Sequence, residues 1–425
     1  MTTDALSDLA YRGQIFQQTN AEGLVEHLKA PRKLYAGFDA TAPSLTIGHL
    51  VPMLLLARMQ RAGHSPVVVL GGGTAMIGDP SGKSAERPLL TPDQIAENAQ
   101  SQSRIFKNVL DFSGSNAAVM VNNADWLAQV GFLEMLRDVG KHFSVNMMIQ
   151  KDSVKERLTN REQGISYTEF SYMLLQAYDF RHLYDSHGVT LQIAGSDQWG
   201  NIVAGTDLIR RTRGVETFGV TAPLVTKADG GKFGKTESGA IWLTADRTSP
   251  YALYQFWLNV ADADVERYLK TFTFYDEARI TELLADLAAN PGARAAQKAL
   301  AAAATEIVHG ATARAEAEAT TAALFSGDVR GLSKSALEEA FAGAPSAALE
   351  KSKLDGAGLD LVELLIQGEV VKSKREAREF AQSGAISVNG ERANAEHRVT
   401  TESLLHGELL LVRRGKKNWH VIRAR

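Results

Sequence analysis

Between Lys33 and Ile193, short apolar runs alternate with amphipathic stretches, and this alternation narrows the fold further than any other property of the chain. Parallel strands are joined by crossover helices, so the pattern predicts an α/β domain built on a mostly parallel sheet. Lys33–Phe38 reads as a strand and Leu50–Ala62 as a helix, with Pro52 tolerated in its first turn. Pro66–Leu70 reads as a buried strand that Gly71-Gly72-Gly73 breaks, and Ala117–Val121 and Thr190–Ile193 read as further strands. Trp126–Arg161 and Thr168–Asp185 look helical, which predicts a helical insertion near 126–165 inside a first domain over 1–245.

Beyond Ser249 the strand pattern stops. Tyr251–Leu258, Ala263–Tyr268 and Ala278–Ala289 are helical by period and Ala293–Ala319 is rich in alanine, so 246–342 is expected as an all-helical domain. Gly343–Gly358 mixes Gly, Pro, Ser, Ala and charges, which is linker composition. The segment 359–425 reads as a separate small α+β module. It holds a short helix, Leu361–Gln367, and a second helix capped by Ser373 and running to Gln382. Ile386–Val388 then enters an Asn389-Gly390 hairpin turn, and Glu408–Arg413 pairs with His420–Arg423 around Gly415.

Charge and cysteine usage limit the setting. The net charge is −3, from 46 Lys+Arg against 49 Asp+Glu, so nothing global advertises nucleic acid. The basic residues Arg413, Arg414, Lys416, Lys417, Arg423 and Arg425 form an acid-free stretch, the footprint of either a localised RNA contact or a solvated tail. Cysteine is absent, which excludes disulfides and Cys-based zinc sites, and no zinc is expected. No apolar run reaches membrane-span length and the start of the chain lacks the layout of a signal peptide, so a cytoplasmic protein without membrane contact is expected.

Two stretches carry phosphate chemistry. Tyr35-Ala-Gly-Phe-Asp-Ala-Thr-Ala-Pro-Ser-Leu-Thr-Ile-Gly-His49 joins a strand to a helix N-terminus, where free N–H groups and the helix dipole suit an anion. Lys232-Phe-Gly-Lys-Thr236 lies among Gly230, Gly231, Gly234 and Gly239, placing two lysines on a loop that could neutralise a triphosphate. Taken singly, these are also what an ordinary strand–helix joint and a solvated basic turn look like. Gly78–Ser84 ends like a P-loop, but Gly78 and Gly82 enclose three residues where four are needed.

In order and separation, the two stretches resemble the paired signatures of class I aminoacyl-tRNA synthetases, usually written HIGH and KMSKS. Met76–Lys83, Gly164–Tyr172, Leu175–Asp179 and Gly195–Gly200 resemble the bacterial-type tyrosyl branch, and the resemblance runs from about Leu34 to the C-terminus. It implies a Rossmann-like parallel-sheet catalytic domain with a helical dimerisation insertion, followed by an all-helical domain and a small α+β RNA-binding domain. It further implies a homodimer that binds L-tyrosine, ATP with Mg2+, and tRNA(Tyr), with no metal held by the protein itself. Leu361–Arg425 resembles the RNA-binding module of a ribosomal small-subunit protein, through Ser373–Arg378 and Ser387–Glu391.

The resemblance assigns the phenol of tyrosine to Tyr35 and Asp179, and its ammonium group to Tyr172, Gln176 and Asp79, with Asn123 ordering the surroundings. Tyr172, Gln176 and Asp179 fall at i, i+4 and i+7, so one helix face presents all three. The adenylate is expected against Gly37, Asp39, Gly48, His49, Gln192, Gly195, Asp197 and Gln198. Thr41, Thr46, His49, Lys83, Arg87, Lys232 and Lys235 are the expected catalytic set, with Lys235 also on ATP. Lys374, Arg375, Arg378, Arg413, Arg414, Lys416 and Lys417 are expected on tRNA phosphates. Two positions depart from the family: Thr46 stands where the first histidine of HIGH is expected, and Ala194 where glycine is frequent. Threonine carries no ring nitrogen, so slower adenylation is expected, and a catalytically weakened RNA-binding paralogue is the alternative.

Overall fold

The computed structural model describes residues 4–81, 89–159, 164–231, 233–236, 239–415 and 418–425. The chain divides into two compact units, one of residues 1–248 and 258–308, the other of 249–257 and 309–425. No helix among the described residues is long and apolar enough to cross a membrane.

The first unit is built on a six-stranded sheet of β1 (Gln17–Gln18), β2 (Lys33–Asp39), β3 (Ser65–Gly71), β4 (Val119–Asn122), β5 (Val189–Gly195) and β6 (Phe218–Ala222), in the order β1-β6-β5-β2-β3-β4. All neighbours run parallel except β1 against β6. β3 is buried almost throughout and β2 at Leu34–Ala36 and Phe38, as central parallel strands with helices on both faces must be. The strand order reverses between β2 and β5, and in open α/β sheets the crevice beyond the carboxyl ends at such a point is where ligands bind. Tyr35 pairs in register with Gln192 across that junction.

The helix Tyr167–His187 covers this region. Ser166 caps its first turn by accepting from the Glu169 amide at 3.2 Å, and Gly188 closes it with φ of 70°. Buried Arg157 holds the same end with two bonds to Glu169, at 3.2 and 2.7 Å, and a third to the Gly164 carbonyl at 3.0 Å.

Several expectations change. The insertion is not one long helix: it breaks into Ala124–Leu127, Phe132–Glu134, a π turn at Met135–Val139, a 3-10 turn at Gly140–His142, Val145–Ile149 and Asp152–Thr159. Gly131 and Phe143–Ser144, all in extended conformation, interrupt the helical path. The expected helical domain over 246–342 is shared between the two units. Asp262–Phe272 belongs to the first because Arg12 and Arg58 donate to the carbonyls of Lys270, Thr271, Thr273 and Tyr275. The long helix Ala295–Ser326 breaks at Gly310, whose φ of 85° and ψ of 169° are not helical.

Lys235–Thr236 (β7) and Gly239–Ala240 (β8) form a two-stranded ribbon of the first unit. In the second unit, Ser346–Leu349 (β9), Leu359–Asp360 (β10), Ile386–Val388 (β11), Glu391–Arg392 (β12), Arg398–Val399 (β13), Leu409–Arg414 (β14) and Asn418–Ala424 (β15) make a five-stranded sheet, β12-β11-β14-β15-β9, and a β10–β13 pair. The segment 343–358 is therefore not a bare linker, because β9 pairs parallel with β15. Leu364, Leu365, Ile386, Leu410, Val412 and Ile422 fill the core beneath. Asn389 and Gly390 make the hairpin turn with φ of 49° and 90°. The Asn389 carboxamide also accepts from the Leu411 amide at 2.9 Å, tying the turn to β14.

Candidate active site

β2 leaves the sheet at Asp39 and passes through Thr41 to the turn Ile47–His49, which opens the helix Leu50–Arg61. The Thr46 amide lies 3.1 Å and its hydroxyl 3.0 Å from His49 Nδ1. An Nδ1 that accepts the amide proton leaves the neutral ring's own proton on Nε2. The stretch is fastened from the other side, since Ile47 donates to the Ile241 carbonyl at 2.9 Å and Leu243 to that of Leu45 at 2.8 Å. Ile241 in turn donates to Gly234 at 3.0 Å, one residue before exposed Lys235. Gly234 has φ of 72°, and a Cβ there would lie 2.4 Å from Ile47 Cγ2, so only glycine fits. The two phosphate-handling motifs thus meet through backbone. Lys83, Arg87 and Lys232 lie outside the described residues.

Gly37 and Gly48 face open space: a Cβ on the first would meet nothing within 4 Å, and on the second only Thr46 Oγ1 at 3.8 Å. Gly195 is closer-packed, with Asp197 Oδ1 at 2.7 Å and Leu224 Cδ2 at 3.3 Å from where its Cβ would stand. Leu224 is exposed beside it, and Asp197 is exposed on the turn after β5.

Beneath this floor lies a buried polar pocket. Tyr35 packs on Phe180, with ring centroids 5.2 Å apart, and its hydroxyl is buried with no hydrogen bond to the described residues. Burial and the nearby Asp179 charge hold the Tyr35 phenol well above its usual range. Asp179 accepts from Asn123 Nδ2 at 2.8 Å and Trp126 Nε1 at 2.7 Å. Burial still raises its pKa from 3.8 to about 7, against the pull of those two donors. Asn123 continues the chain, donating to Thr74 Oγ1 at 3.0 Å; Thr74 donates to Asp39 Oδ1 at 2.7 Å. Tyr172 donates to Asp39 Oδ2 at 2.9 Å. A second branch runs from Gln198 to Asp79 at 2.6 Å, with Asn201 donating to both Gln198 and Gln176 at 3.1 Å. The amide oxygen of Gln192 is buried without a partner among the described residues.

Tyr35, Asp39, Asp79, Asn123, Tyr172, Gln176, Asp179 and Gln198 are therefore joined or adjacent in one region. Asp39, expected on the adenylate, is bonded inward to Tyr172 and Thr74. Thr74, Trp126, Asn201 and Leu224 were not singled out from sequence. Thr74 follows the triple glycine, whose role is steric as well: Cβ atoms on Gly71, Gly72 and Gly73 would press on Asp39, Asn122 and Leu127 at 2.3, 2.4 and 3.0 Å. Small residues there let the loop carry Thr74 against Asp39. No group of three or more His, Asp or Glu among the described residues could hold a metal ion.

In the second unit Lys374, Arg375 and Arg378 lie on the helix Lys374–Gln382, all three exposed. Lys374 pairs with Glu363, and Arg375 with Glu379 at 3.0 Å. Arg413 lies over the Trp419 ring of β15 at 5.0 Å and Arg414 over Phe380 of the helix Lys374–Gln382 at 5.3 Å, so both residues belong to β14 and its packing rather than to a tail. Lys416 and Lys417 lie outside the described residues.

Residues 27–326 match the family described as tRNA synthetases class I (W and Y). With the His49 turn placed at the switch point of a parallel sheet, fold and site define a class I aminoacyl-tRNA synthetase. Residues 336–422 match the tyrosine–tRNA ligase SYY-like C-terminal domain. Tyrosine–tRNA ligase 1 of Bacillus cereus is 51% identical over 422 residues, covering 98% of this chain and 99% of that protein. The tyrosine–tRNA ligase of Dechloromonas aromatica is 51% identical over 420 residues and covers 98% of both. The crystal structure of a C-terminally truncated Aspergillus nidulans mitochondrial tyrosyl-tRNA synthetase matches with a TM-score of 0.68 at 30% identity, over 76% of this chain and 94% of that one. The chain belongs to the tyrosine–tRNA ligase family and esterifies tRNA(Tyr) with tyrosine.

Proposed function

We propose that the pocket under the helix Tyr167–His187 holds tyrosine, with Tyr35 and Asp179 on the phenol and Asp79, Tyr172 and Gln176 around the ammonium group. The observation that carries this reading is the Tyr35 hydroxyl, buried beside Asp179 with no partner among the described residues. A buried donor left unsatisfied costs ~1–3 kcal/mol, and a phenol oxygen relieves it where a bare ring does not. Asn123 and Trp126 orient Asp179, and Thr74 ties Asn123 to Asp39.

ATP lies across Gly37 and Gly48, with the base near Gly195 and Leu224, Asp197 on the ribose, and Gln192 and Gln198 toward the reacting carboxylate. Magnesium enters with ATP as part of the substrate. A tyrosine carboxylate oxygen attacks the α-phosphorus in line, and the bond to the β-phosphate oxygen breaks to release pyrophosphate. No protein nucleophile takes part. Thr41, Thr46 and His49 donate hydrogen bonds to the phosphates, and Lys235 and, from sequence, Lys83, Arg87 and Lys232 neutralise the charge that builds on them. A terminal ribose hydroxyl of tRNA then attacks the tyrosyl carbonyl and AMP leaves. Lys374, Arg375 and Arg378, with Arg413 and Arg414 of β14 and, from sequence, Lys416 and Lys417, grip tRNA phosphates away from that end.

The active form is a homodimer. Phe132 and Leu133 are 65% and 80% exposed in the broken insertion, and Leu136, Val145, Met147 and Ile149 extend the apolar surface. Such a patch is covered by a partner. The absence of cysteine suits work in the reducing cytoplasm.

The test of the pocket is kcat/KM for tyrosine and phenylalanine across pH. With Asp179 titrating near 7 in the free enzyme, its carboxylate is lost as an acceptor on acidification, so kcat/KM for tyrosine falls below pH 7 with unit slope. Asp179→Asn flattens that limb. A pH-independent parent enzyme, or equal use of phenylalanine, refutes the assignment.

Thr46 invites a second measurement. Histidine in its place adds a donor at the phosphate end, and Thr46→His is expected to raise the rate of tyrosine-dependent ATP–pyrophosphate exchange about tenfold. No increase would mean that the hydroxyl and His49 already supply the contact.

A further inference from the structure

We infer that the helix Asp262–Phe272 is the mount that sets the position of Lys235, and that Phe233 is the positioning residue joining them. The inference rests on the proposed role of Lys235 at the phosphates. Phe233, two residues before that lysine, packs against two rings of this helix. Its centroid lies 5.1 Å from Tyr268, tilted, and 5.3 Å from Phe272, stacked at 17°.

The same helix fastens the base of the loop. Asp264, buried, accepts from the Ala228 amide at 2.9 Å and from Arg267 at 2.5 Å. Tyr268 donates its hydroxyl to the Thr226 carbonyl at 3.1 Å, and Arg267 donates to that carbonyl too. Four side chains, Asp264, Arg267, Tyr268 and Phe272, thus grip the loop at 226, 228 and 233. A helix face carrying a buried carboxylate, a guanidinium, a phenol and a phenyl toward one loop does more than fill space: three of its contacts are directional and go to backbone.

The far end of the mount is tied to the other phosphate motif. Arg58 donates to the carbonyls of Lys270, Thr271 and Thr273 at 3.2, 2.8 and 2.8 Å, and Arg12 reaches Lys270 at 3.1 Å and Tyr275 at 2.8 Å. Arg58 sits on the helix Leu50–Arg61, which begins directly after His49. His49 and Lys235 are therefore referenced to one pair of packed helices, so the spacing between them is fixed at both ends. Misplacing a charge-neutralising group by about 1 Å costs on the order of 10²-fold in rate.

The test is single-turnover formation of tyrosyl-adenylate at saturating tyrosine and ATP, in the full chain. Phe233→Ala is expected to slow this step by about 30- to 100-fold. The dissociation constant for tyrosine stays within about twofold, and transfer from preformed adenylate to tRNA within about threefold, because neither needs the lysine at the pyrophosphate. Phe233→Leu, which refills the slot between the rings, recovers the rate to within about fivefold. A loss of less than about tenfold, or an equal loss in binding, activation and transfer, overturns the inference. If Phe233→Ala does not fold, Asp264→Asn is read by the same split, with about a tenfold loss in activation expected. Lys235→Ala runs in parallel. If it leaves activation unchanged, the phosphate role of the lysine fails and the mount with it; if it slows activation while Phe233→Ala does not, the mount alone fails.

Discussion

Asp179→Ala lowers kcat/KM for tyrosine by about 10³-fold, the largest effect expected of any single side chain in the pocket. The loss comes from the phenol, which loses a charged acceptor; the Asn123 and Trp126 N–H groups, which donate to Asp179 at 2.8 and 2.7 Å, are left buried and unpaired with or without substrate and so lower stability instead. Activity toward phenylalanine changes far less, because no bond to a phenol is at stake, and steady-state kinetics with the two amino acids side by side is the check. A parallel loss with both would mean that Asp179 supports the fold rather than the substrate. Stability provides the control. The native carboxyl holds a proton that the unfolded chain has already released between pH 3.8 and about 7, so stability falls as pH rises through that window. Asp179→Asn removes this slope while keeping the shape of the site, which separates the cost of burying the charge from its use.

Lys235→Ala is expected to lower tyrosine-dependent ATP–pyrophosphate exchange by about 10²- to 10³-fold, with tyrosine affinity unchanged. The lysine is exposed on the β7–β8 ribbon, whereas Tyr35 and Asp179 are buried, so its removal disturbs no core packing. Its charge matters only as negative charge gathers on the leaving pyrophosphate. Equilibrium dialysis for tyrosine, set beside exchange rates, reads the two quantities apart. A weakened tyrosine affinity would place the side chain somewhere other than the phosphates.

Much of the catalytic unit was legible because its signals are local. β3 and the middle of β2 are continuous apolar runs, and the family resemblance picked out Tyr172, Gln176 and Asp179, whose spacing puts them on one face of the helix Tyr167–His187. What stayed hidden depends on distant partners. β6 reads Phe-Gly-Val-Thr-Ala, too small and too mixed to stand out; its glycine is required because a Cβ would lie 2.2 Å from Ile202 Cγ2. Thr74 and Trp126 carry no signature of their own, and their roles exist only once β3 and β4 bring Gly73 and Asn123 side by side. The insertion misled through composition, since its residues favour helix while its glycine and extended breaks set the path. The segment 343–358 misled in the opposite sense: Ser-Ala-Ala-Leu has little strand propensity, and pairing supplies the structure.

That last pairing gives the second unit a built-in order of assembly. β15 lies between β14 and β9, so a strand later in the chain than either is the one that joins them. Until Asn418–Ala424 emerges, β9 has no strand to join and one edge of β14 is bare, a template for pairing with other chains. A chain lacking Asn418–Ala424 would therefore carry an unfinished, adhesive sheet in its second unit, because that one strand holds β9 and β14 in the same sheet.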